Sequence, residues 1–211
     1  MTRRNGMAPL AGMIFVFGLG LLLVTPGISQ GMQDGPTVAF RGKADILPAE
    51  ASVVQGKTPD QIVEIVLPGR VYEPSITVVP VKRDDANWKT PEQASASDFS
   101  AFRAGDPEWV RENFLKEDYS GIKAMVEDAN MLKLNQKTYM NYREKTILAR
   151  CIYKDSALVF VRYDGVAEKG NIEVYQKVKR EWKRTNALAQ DETLAVLQVM
   201  FRQGSFEQNT R

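Results

Sequence analysis

The sequence predicts an α+β fold in which N-terminal helices pack on a curved antiparallel sheet, with a C-terminal helix and an extra N-terminal segment. Three observations predict it. Two helix-start patterns follow each other at residues 90–107, strand-like runs joined by short turns fill residues 146–188, and an amphipathic segment comes last. Helices that precede a set of strands with short connections are typical of α+β domains with antiparallel sheets.

Composition agrees with an ordinary folded domain. The chain has 211 residues, of which 44% are hydrophobic and 26% are charged, so a sizeable core can be buried. The first 29 residues hold two arginines and no acid, which leaves 26 basic and 26 acidic residues in the remainder. A neutral mature chain gives no overall reason to expect binding to nucleic acid.

The N-terminus predicts export. Arg3 and Arg4 precede an uncharged apolar run at residues 7–24, and small residues lead up to Ser29. This order is typical of a secretory signal peptide, here residues 1–29, cleaved after Ser29. The alternative is a retained anchor, with residues 7–24 as a membrane tether. Both predict a location in the periplasm or at the outer face of the inner membrane of a bacterium.

Two segments precede the predicted core domain. Residues 30–57 mix glycine, proline and polar residues, which predicts an extended tether with one strand near Val38–Phe40. Residues 58–89 form an accessory segment. A short helix is expected after Thr58, followed by an edge strand at residues 75–82 because Pro80 cannot donate to a neighbouring strand.

The core domain is predicted to span residues 90–203 and to open with helices. Thr90 is the expected cap of the first helix, and Gly105 its expected end. Asp106 is then the expected cap of the next helix, with Pro107 at its first position. A further helix carries apolar residues with helical spacing over residues 122–129.

The second half of the core domain reads as a meander. Two strands are expected on either side of residues 154–156, and the segment "NIEVYQKV" at 171–178 alternates strictly as a third strand should. "WKRTNAL" is the expected fourth strand. Asp191 is the expected cap of the last helix, and residues 204–211 are expected to form a frayed tail.

These segments also carry a resemblance. The pattern "TPEQASASDFSAFRAGDPEWVRENF", then "SALVFVRYDG", then "VYQKVKREWKRTN", resembles the nuclear transport factor 2-like superfamily, secreted bacterial type, over about residues 90–203. The resemblance implies a cone, in which helices pack into the concave face of a bent sheet and often leave a pocket. Such folds host isomerases, dehydratases, hydrolases and non-catalytic modules, so the fold leaves the function open. Residues 30–89 and the developed C-terminal helix depart from the family pattern.

Residue types exclude several kinds of chemistry. The chain has no histidine and one cysteine, which excludes a Ser-His-Asp triad, a histidine metal site and a thiolate cluster. No metal, no cofactor and no catalytic residue is therefore predicted. The cysteine, Cys151, lies in an apolar strand-like run and is expected to be a small buried side chain. An enzyme with this composition and fold would use Asp, Tyr or Arg.

The candidate ligand-binding residues are one arginine and six aromatic residues. Arg162 shares a strand face with apolar residues, and it either grips an anionic ligand or packs its stem and extends its head to solvent. The aromatic candidates either line a pocket or fill the core: Phe99, Phe102, Trp109, Tyr153, Tyr175 and Trp182. Arg150 has the same two interpretations as Arg162. The basic segment 177–184 is either an anion-binding patch or a solvated turn.

Three functions remain open. The first is a non-catalytic exported envelope domain that binds a protein partner or a small ligand. The second is a cofactor-free isomerase, dehydratase or hydrolase that uses Asp, Tyr or Arg in the cone. The third is a module that assembles a homodimer by pairing sheets. A polar pocket with a buried Asp would favour the enzyme, whereas a cone filled by its own aromatic residues would favour the other two.

Overall fold

The computed structural model describes residues 35–165, 169–204 and 206–209. Within them, an antiparallel sheet of seven strands has the order β6-β5-β4-β3-β2-β1-β7. The strands are β1 Thr37–Lys43, β2 Ile62–Thr77, β3 Glu144–Tyr153, β4 Ser156–Asp164, β5 Lys169–Val178, β6 Glu181–Arg184 and β7 Phe206–Asn209. The helices are α1 Pro91–Ala104, α2 Pro107–Asn113, α3 Tyr119–Glu127, α4 Ala129–Asn141 and α5 Glu192–Arg202. The predicted fold class is therefore confirmed: α1–α4 pack on the sheet and α5 is the C-terminal helix.

The helix ends follow the sequence signals. The Thr90 side chain accepts from the Gln93 N–H, and Gly105 ends α1 with a left-handed φ of 66°. The Asp106 carboxylate starts α2, and Asp191 starts α5 by accepting from the Leu194 N–H. These caps satisfy backbone groups that a helix cannot pair internally, so the predicted positions are confirmed.

Helix α4 is absent from the sequence-based prediction. The helix expected over residues 122–129 ends at Glu127, because the Asp128 carboxylate accepts from the N–H groups of Asn130 and Met131 and starts a new helix. The sequence of α4 lacks a strong apolar stripe, and none of its side chains is fully buried. Its helical period is therefore not visible in the sequence pattern.

The accessory segment differs from its prediction. The short helix expected after Thr58 is wrong, because residues 62–77 form the single 16-residue strand β2. Its β-branched run "IVEIV" favours a strand over a helix. The strand expected at residues 75–82 corresponds to the end of β2, residues 75–77, which pairs with β3 and lies beyond the residues that pair with β1. Pro80 follows the end of the strand.

Strand β2 joins two parts of the sheet. Its residues 62–68 pair with β1, whereas Gly69 and the residues after it pair with β3. At this junction the chains approach so closely that a Cβ on Gly69 would overlap the carbonyl oxygen of Arg150 and lie 2.7 Å from Cα of Cys151. Only glycine fits there without displacing backbone.

Both faces of the sheet are covered. On one face, here called the α1 face, α1 packs against Val159 and Val161 of β4. On the other, the α5 face, the ring of Phe160 lies 4.8 Å from Phe40 of β1 and 5.2 Å from Phe201 of α5. Part of the segment expected to be a tether therefore belongs to the core.

The predicted tail also contributes to the sheet. Strand β7 pairs with β1, and the Phe206 ring lies 5.9 Å from Phe40. The expectation of a frayed tail is wrong for residues 206–209, because this pairing and the aromatic contact hold them. The predicted signal peptide or anchor, residues 1–29, lies outside the described residues. Among the helices of the described ranges, none combines the length and apolar character needed to cross a membrane.

Helix α5 also covers an open edge of β5. Strand β6 pairs with residues 175–178, so among the described residues the N-terminal half of β5 has no strand on that side. The Gln198 amide accepts from the Ile172 N–H at 3.0 Å and donates to the Gly170 carbonyl at 3.0 Å. Side chains of a helix thus replace a missing strand neighbour.

Candidate functional site

The most unusual feature of the molecule is a cluster of charged and hydroxyl side chains inside the α1 face, here called the buried charge cluster. Its members come from α1 and from four strands: Ser95, Asp98, Lys145, Tyr163, Glu173, Tyr175 and Arg184. At its centre, Nζ of Lys145 lies 2.8 Å from Oε1 and 2.9 Å from Oε2 of Glu173. Both side chains have 0% exposed surface.

Neighbouring donors complete the shell of Glu173. Oε1 accepts from the Tyr163 hydroxyl at 2.6 Å, and Oε2 accepts from the hydroxyls of Tyr175 at 2.9 Å and Ser95 at 2.7 Å. Nζ of Lys145 also donates to the Ser95 carbonyl at 3.0 Å. The pair therefore has the additional hydrogen bonds that a buried ion pair requires.

The surroundings of the pair favour the charged form of Glu173. Burial opposes ionisation of Glu173, but Lys145, Arg184 and the hydrogen bonds outweigh it and lower the pKa of the carboxyl group to about 2. Burial also lowers the pKa of Lys145, and the charges of Glu173 and Asp98 oppose that shift. Each group therefore favours the charged form of the other at a site that is shielded from bulk solvent.

A second ion pair extends the cluster. Asp98 is fully buried, and its Oδ2 accepts from Nη1 of Arg184, whose side chain is 19% exposed. Burial raises the pKa of Asp98, although Arg184 opposes the shift. Among the described residues, no hydrogen-bond partner reaches Oδ1 of Asp98.

Strand pairing explains why these side chains meet. Lys145 lies opposite Tyr163, and Tyr175 lies opposite Arg184, so each pair projects from one face of the sheet. Glu173 and Tyr175 are two residues apart on β5 and share that face. On α1, Ser95 and Asp98 are three residues apart, which places both toward the sheet.

Aromatic rings separate the cluster from solvent. The Tyr163 ring lies 4.6 Å from Tyr142 and 6.1 Å from Phe99, and the Phe102 ring stacks at 4.6 Å on Tyr139. Within the described residues, the central acid and base, Glu173 and Lys145, therefore have no surface that a substrate could reach, and Arg184 is the member of the cluster with the most exposed side chain. The space between α1 and the sheet is filled by side chains of these elements.

The seven candidate ligand-binding residues lie on different sides of the sheet. Phe99 and Tyr175 are buried on the α1 face, where Trp182 is partly buried. Phe102 and Trp109 are buried between the helices, and the Trp109 indole donates to the Ser97 hydroxyl at 3.0 Å.

The remaining two candidates belong to the α5 face. Tyr153 is buried there, and its hydroxyl contacts Asp191 at 3.3 Å. Arg162 is exposed near the end of β4, and alternation along the strand places it on the side of Phe160. The seven residues do not line one common cavity, and their ligand-binding role stays a prediction. Arg150, on the α1 face, pairs with Glu92 at 3.2 Å.

Sequence reasoning missed the buried charge cluster except for Tyr175. One signal could have found it. Residues 157–161 of β4 form an unbroken apolar run, which is typical of a strand covered on both faces. Glu173, on the adjacent strand, must then be buried whichever face it takes, and a buried carboxylate needs a cation.

Metal-binding groups and the cysteine are further kinds of possible site. No three histidine, cysteine or carboxylate side chains are grouped for metal binding within the described ranges. Cys151 is fully buried, as predicted, and burial raises the pKa of its thiol. Comparison with known proteins found no matching family model, no similar curated protein and no similar solved structure.

Proposed function

We propose that this chain is an exported envelope protein whose domain, of nuclear transport factor 2-like type, is non-catalytic and binds a protein partner at its surface. The observation that carries the proposal is the filled space between α1 and the curved sheet. The central ion pair, Lys145–Glu173, has no exposed surface, and aromatic rings close the space around it. The helices on a curved antiparallel sheet support the family type, and the apolar run at residues 7–24 supports export.

Energetics argue against a small ligand inside the cone. A ligand at this position would have to separate Lys145 from Glu173 or displace the hydroxyl donors around them. Removing one partner of a buried ion pair costs about 3–5 kcal/mol, because the other charge is left without compensation. A binding site on the outer surface avoids this cost.

One observation favours the enzyme alternative. Asp98 is a fully buried carboxylate with a raised pKa, and its Oδ1 lacks a partner among the described residues, which are properties of a general base. A cofactor-free isomerase would then require α1 to move away from β6 to admit substrate. The Asp98–Arg184 ion pair opposes that movement.

The homodimer alternative has less support. Assembly by sheet pairing needs an open sheet face, and in this chain β1 and α5 cover the face that the other helices leave free. The Phe40, Phe160 and Phe201 rings pack together there.

Mass spectrometry of the protein purified from its own cells tests the proposal. We expect a denaturing mass that lacks residues 1–29 or a membrane-fraction chain that retains them, and a native mass without a small molecule. A stoichiometric small molecule would contradict the filled cone. A full-length chain recovered from the soluble cytoplasm would contradict export.

Photo-crosslinking tests the partner. A crosslinking amino acid is placed in turn at three exposed positions on different parts of the surface, Val79, Leu134 and Val178, which are 72%, 57% and 45% exposed. We expect a discrete heavier product at one position. The same substitution at buried Val159 is the matched control and should give none. Absence of a product at all three positions would contradict the proposal that a protein partner binds the surface.

A further inference from the structure

A groove with an apolar floor and a basic rim lies beside β6. It is here called the basic groove and has a volume of about 970 Å³, lined among others by Trp88, Phe114, Leu115, Lys116, Lys179 and Arg180. Phe114 and Leu115 form the floor and are each 5% exposed. The volume lies at the upper end of the range of about 300–1,000 Å³ that is usual for binding clefts.

Backbone hydrogen bonds fix both walls of the groove. The Trp182 N–H donates to the Trp88 carbonyl at 2.8 Å, and the Leu115 N–H donates to the Arg184 carbonyl at 3.0 Å. Because both walls are bonded to β6, the groove is part of the sheet framework. A partner would therefore meet a preformed site.

The rim has an excess of uncompensated positive charge. Two of its acids have partners: Glu181 pairs with Lys183 at 3.0 Å, and Glu112 pairs with Arg83 at 2.5 Å. Within the described residues, three cations of the rim have no acidic group within 4.0 Å: Lys116, Lys179 and Arg180. The lining contains one further acidic residue, Glu117. Cations without an acidic partner therefore outnumber the remaining acid, and the groove attracts anions.

The position of Lys179 supports a role for its charge. It occupies the first position of the two-residue turn between β5 and β6 with a φ of 57°, where glycine or asparagine fits better. Lys154 has the same place in the turn between β3 and β4, with a φ of 52°, and pairs there with Asp191 at 2.6 Å. Both lysines thus adopt an unfavourable backbone conformation. Lys154 has an acidic partner in the chain, whereas Lys179 has no acidic partner among the described residues.

We propose that the basic groove docks an acidic segment of a protein partner, with an apolar side chain over Phe114 and Leu115 and carboxylates beside Lys179 and Arg180. A peptide suits the groove better than a membrane does. A flat lipid surface would touch the tip of the turn but would not reach the concave floor. This inference rests on the proposed function, since it assigns the partner a place and a charge.

A random heptapeptide library displayed on phage tests the inference, with the full chain purified from its own cells as the target. We expect enrichment of peptides that combine several Asp or Glu residues with one large apolar residue. Their binding should weaken as salt rises, because the attraction is between exposed charges.

Two matched variants separate binding from folding. Lys179→Gly removes a rim charge and relieves the backbone, so we expect an unchanged or higher Tm and about tenfold weaker peptide binding. Lys154→Gly removes a lysine from the equivalent turn away from the groove and should leave peptide binding unchanged. Equal binding by Lys179→Gly and the parent chain would overturn the proposal.

Other outcomes also decide the question. Enriched peptides without acidic residues, or no enrichment, would overturn the proposal. The proposal would also be overturned if the chain bound vesicles of anionic phospholipid, lost that binding in Lys179→Gly, and failed to bind the peptides. Val178 lines the groove, whereas Val79 and Leu134 do not. A partner crosslinked at Val79 or Leu134 but not at Val178 would contradict this inference and leave the proposed function standing. A small molecule that stays bound between α1 and the sheet would instead contradict the proposed function.

Discussion

The ammonium group of Lys145 and the carboxylate of Glu173 form an ion pair of 2.8 Å across three strands of the sheet, and neither side chain reaches solvent. A pair of this kind contributes little net stability relative to apolar residues of the same size, but the loss of one partner is costly. The pair therefore disfavours any arrangement of β3 and β5 that would separate the two charges.

The first prediction concerns this pair. Lys145→Met should lower the free energy of unfolding by about 3–5 kcal/mol, because it leaves Glu173 ionised and buried without its cation. Urea denaturation measures the loss. The double variant Lys145→Met/Glu173→Leu should recover a substantial part of it, because no buried charge remains. A single variant as stable as the parent would show that the pair is absent.

The second prediction concerns acid. The folded pKa of Glu173, about 2, lies below its ordinary value of 4.5, so the unfolded state binds more protons between these values. The stabilisation is complete above about pH 4.5 and is lost as the pH falls toward 2, by roughly 3 kcal/mol. Asp98 acts in the opposite sense because its pKa is raised. Urea denaturation from pH 6 to 2 should show a shallower acid decline in Glu173→Gln than in the parent.

The third prediction tests whether the N-terminal segment belongs to the core. Phe40→Ala should cost about 3–5 kcal/mol, because the ring is fully buried between Phe160 and Phe206. The control, Ile46→Ala, removes a side chain that is 41% exposed and should cost much less. Equal small losses in thermal denaturation would mean that residues 37–43 act only as a tether.

The fourth prediction concerns Gly69. Gly69→Ala should destabilise the fold by more than about 2 kcal/mol, because the added Cβ would overlap the backbone of β3 at Arg150 and Cys151. Gly35→Ala adds the same atom where, in the described part of the chain, nothing beyond the adjacent residues lies within 4 Å, and it should be nearly neutral. Chemical denaturation of both variants measures the difference. A neutral Gly69→Ala would contradict the close approach of the two strands.

The sequence patterns predict the helix caps and the meander well because these depend on neighbouring residues. Thr90, Asp106 and Asp191 act within one helical turn of their own positions. Strand β2 escapes such reasoning, since its pairing with β1 and β3 is set by distant parts of the chain. The buried charge cluster could not be predicted in this way for the same reason, because no residue near Lys145 in sequence indicates that Glu173 will lie beside it.

The pairing of β1 with β7 has a consequence for the order of folding. Thr37 lies opposite Asn209, so this strand pair joins nearly the two ends of the described chain. Contacts between residues so distant in sequence form late and slowly, because the intervening chain must first be ordered. A chain that emerges gradually from a ribosome cannot form this strand pair until residues 206–209 have emerged, so the edge of β1 stays unpaired on that side until then.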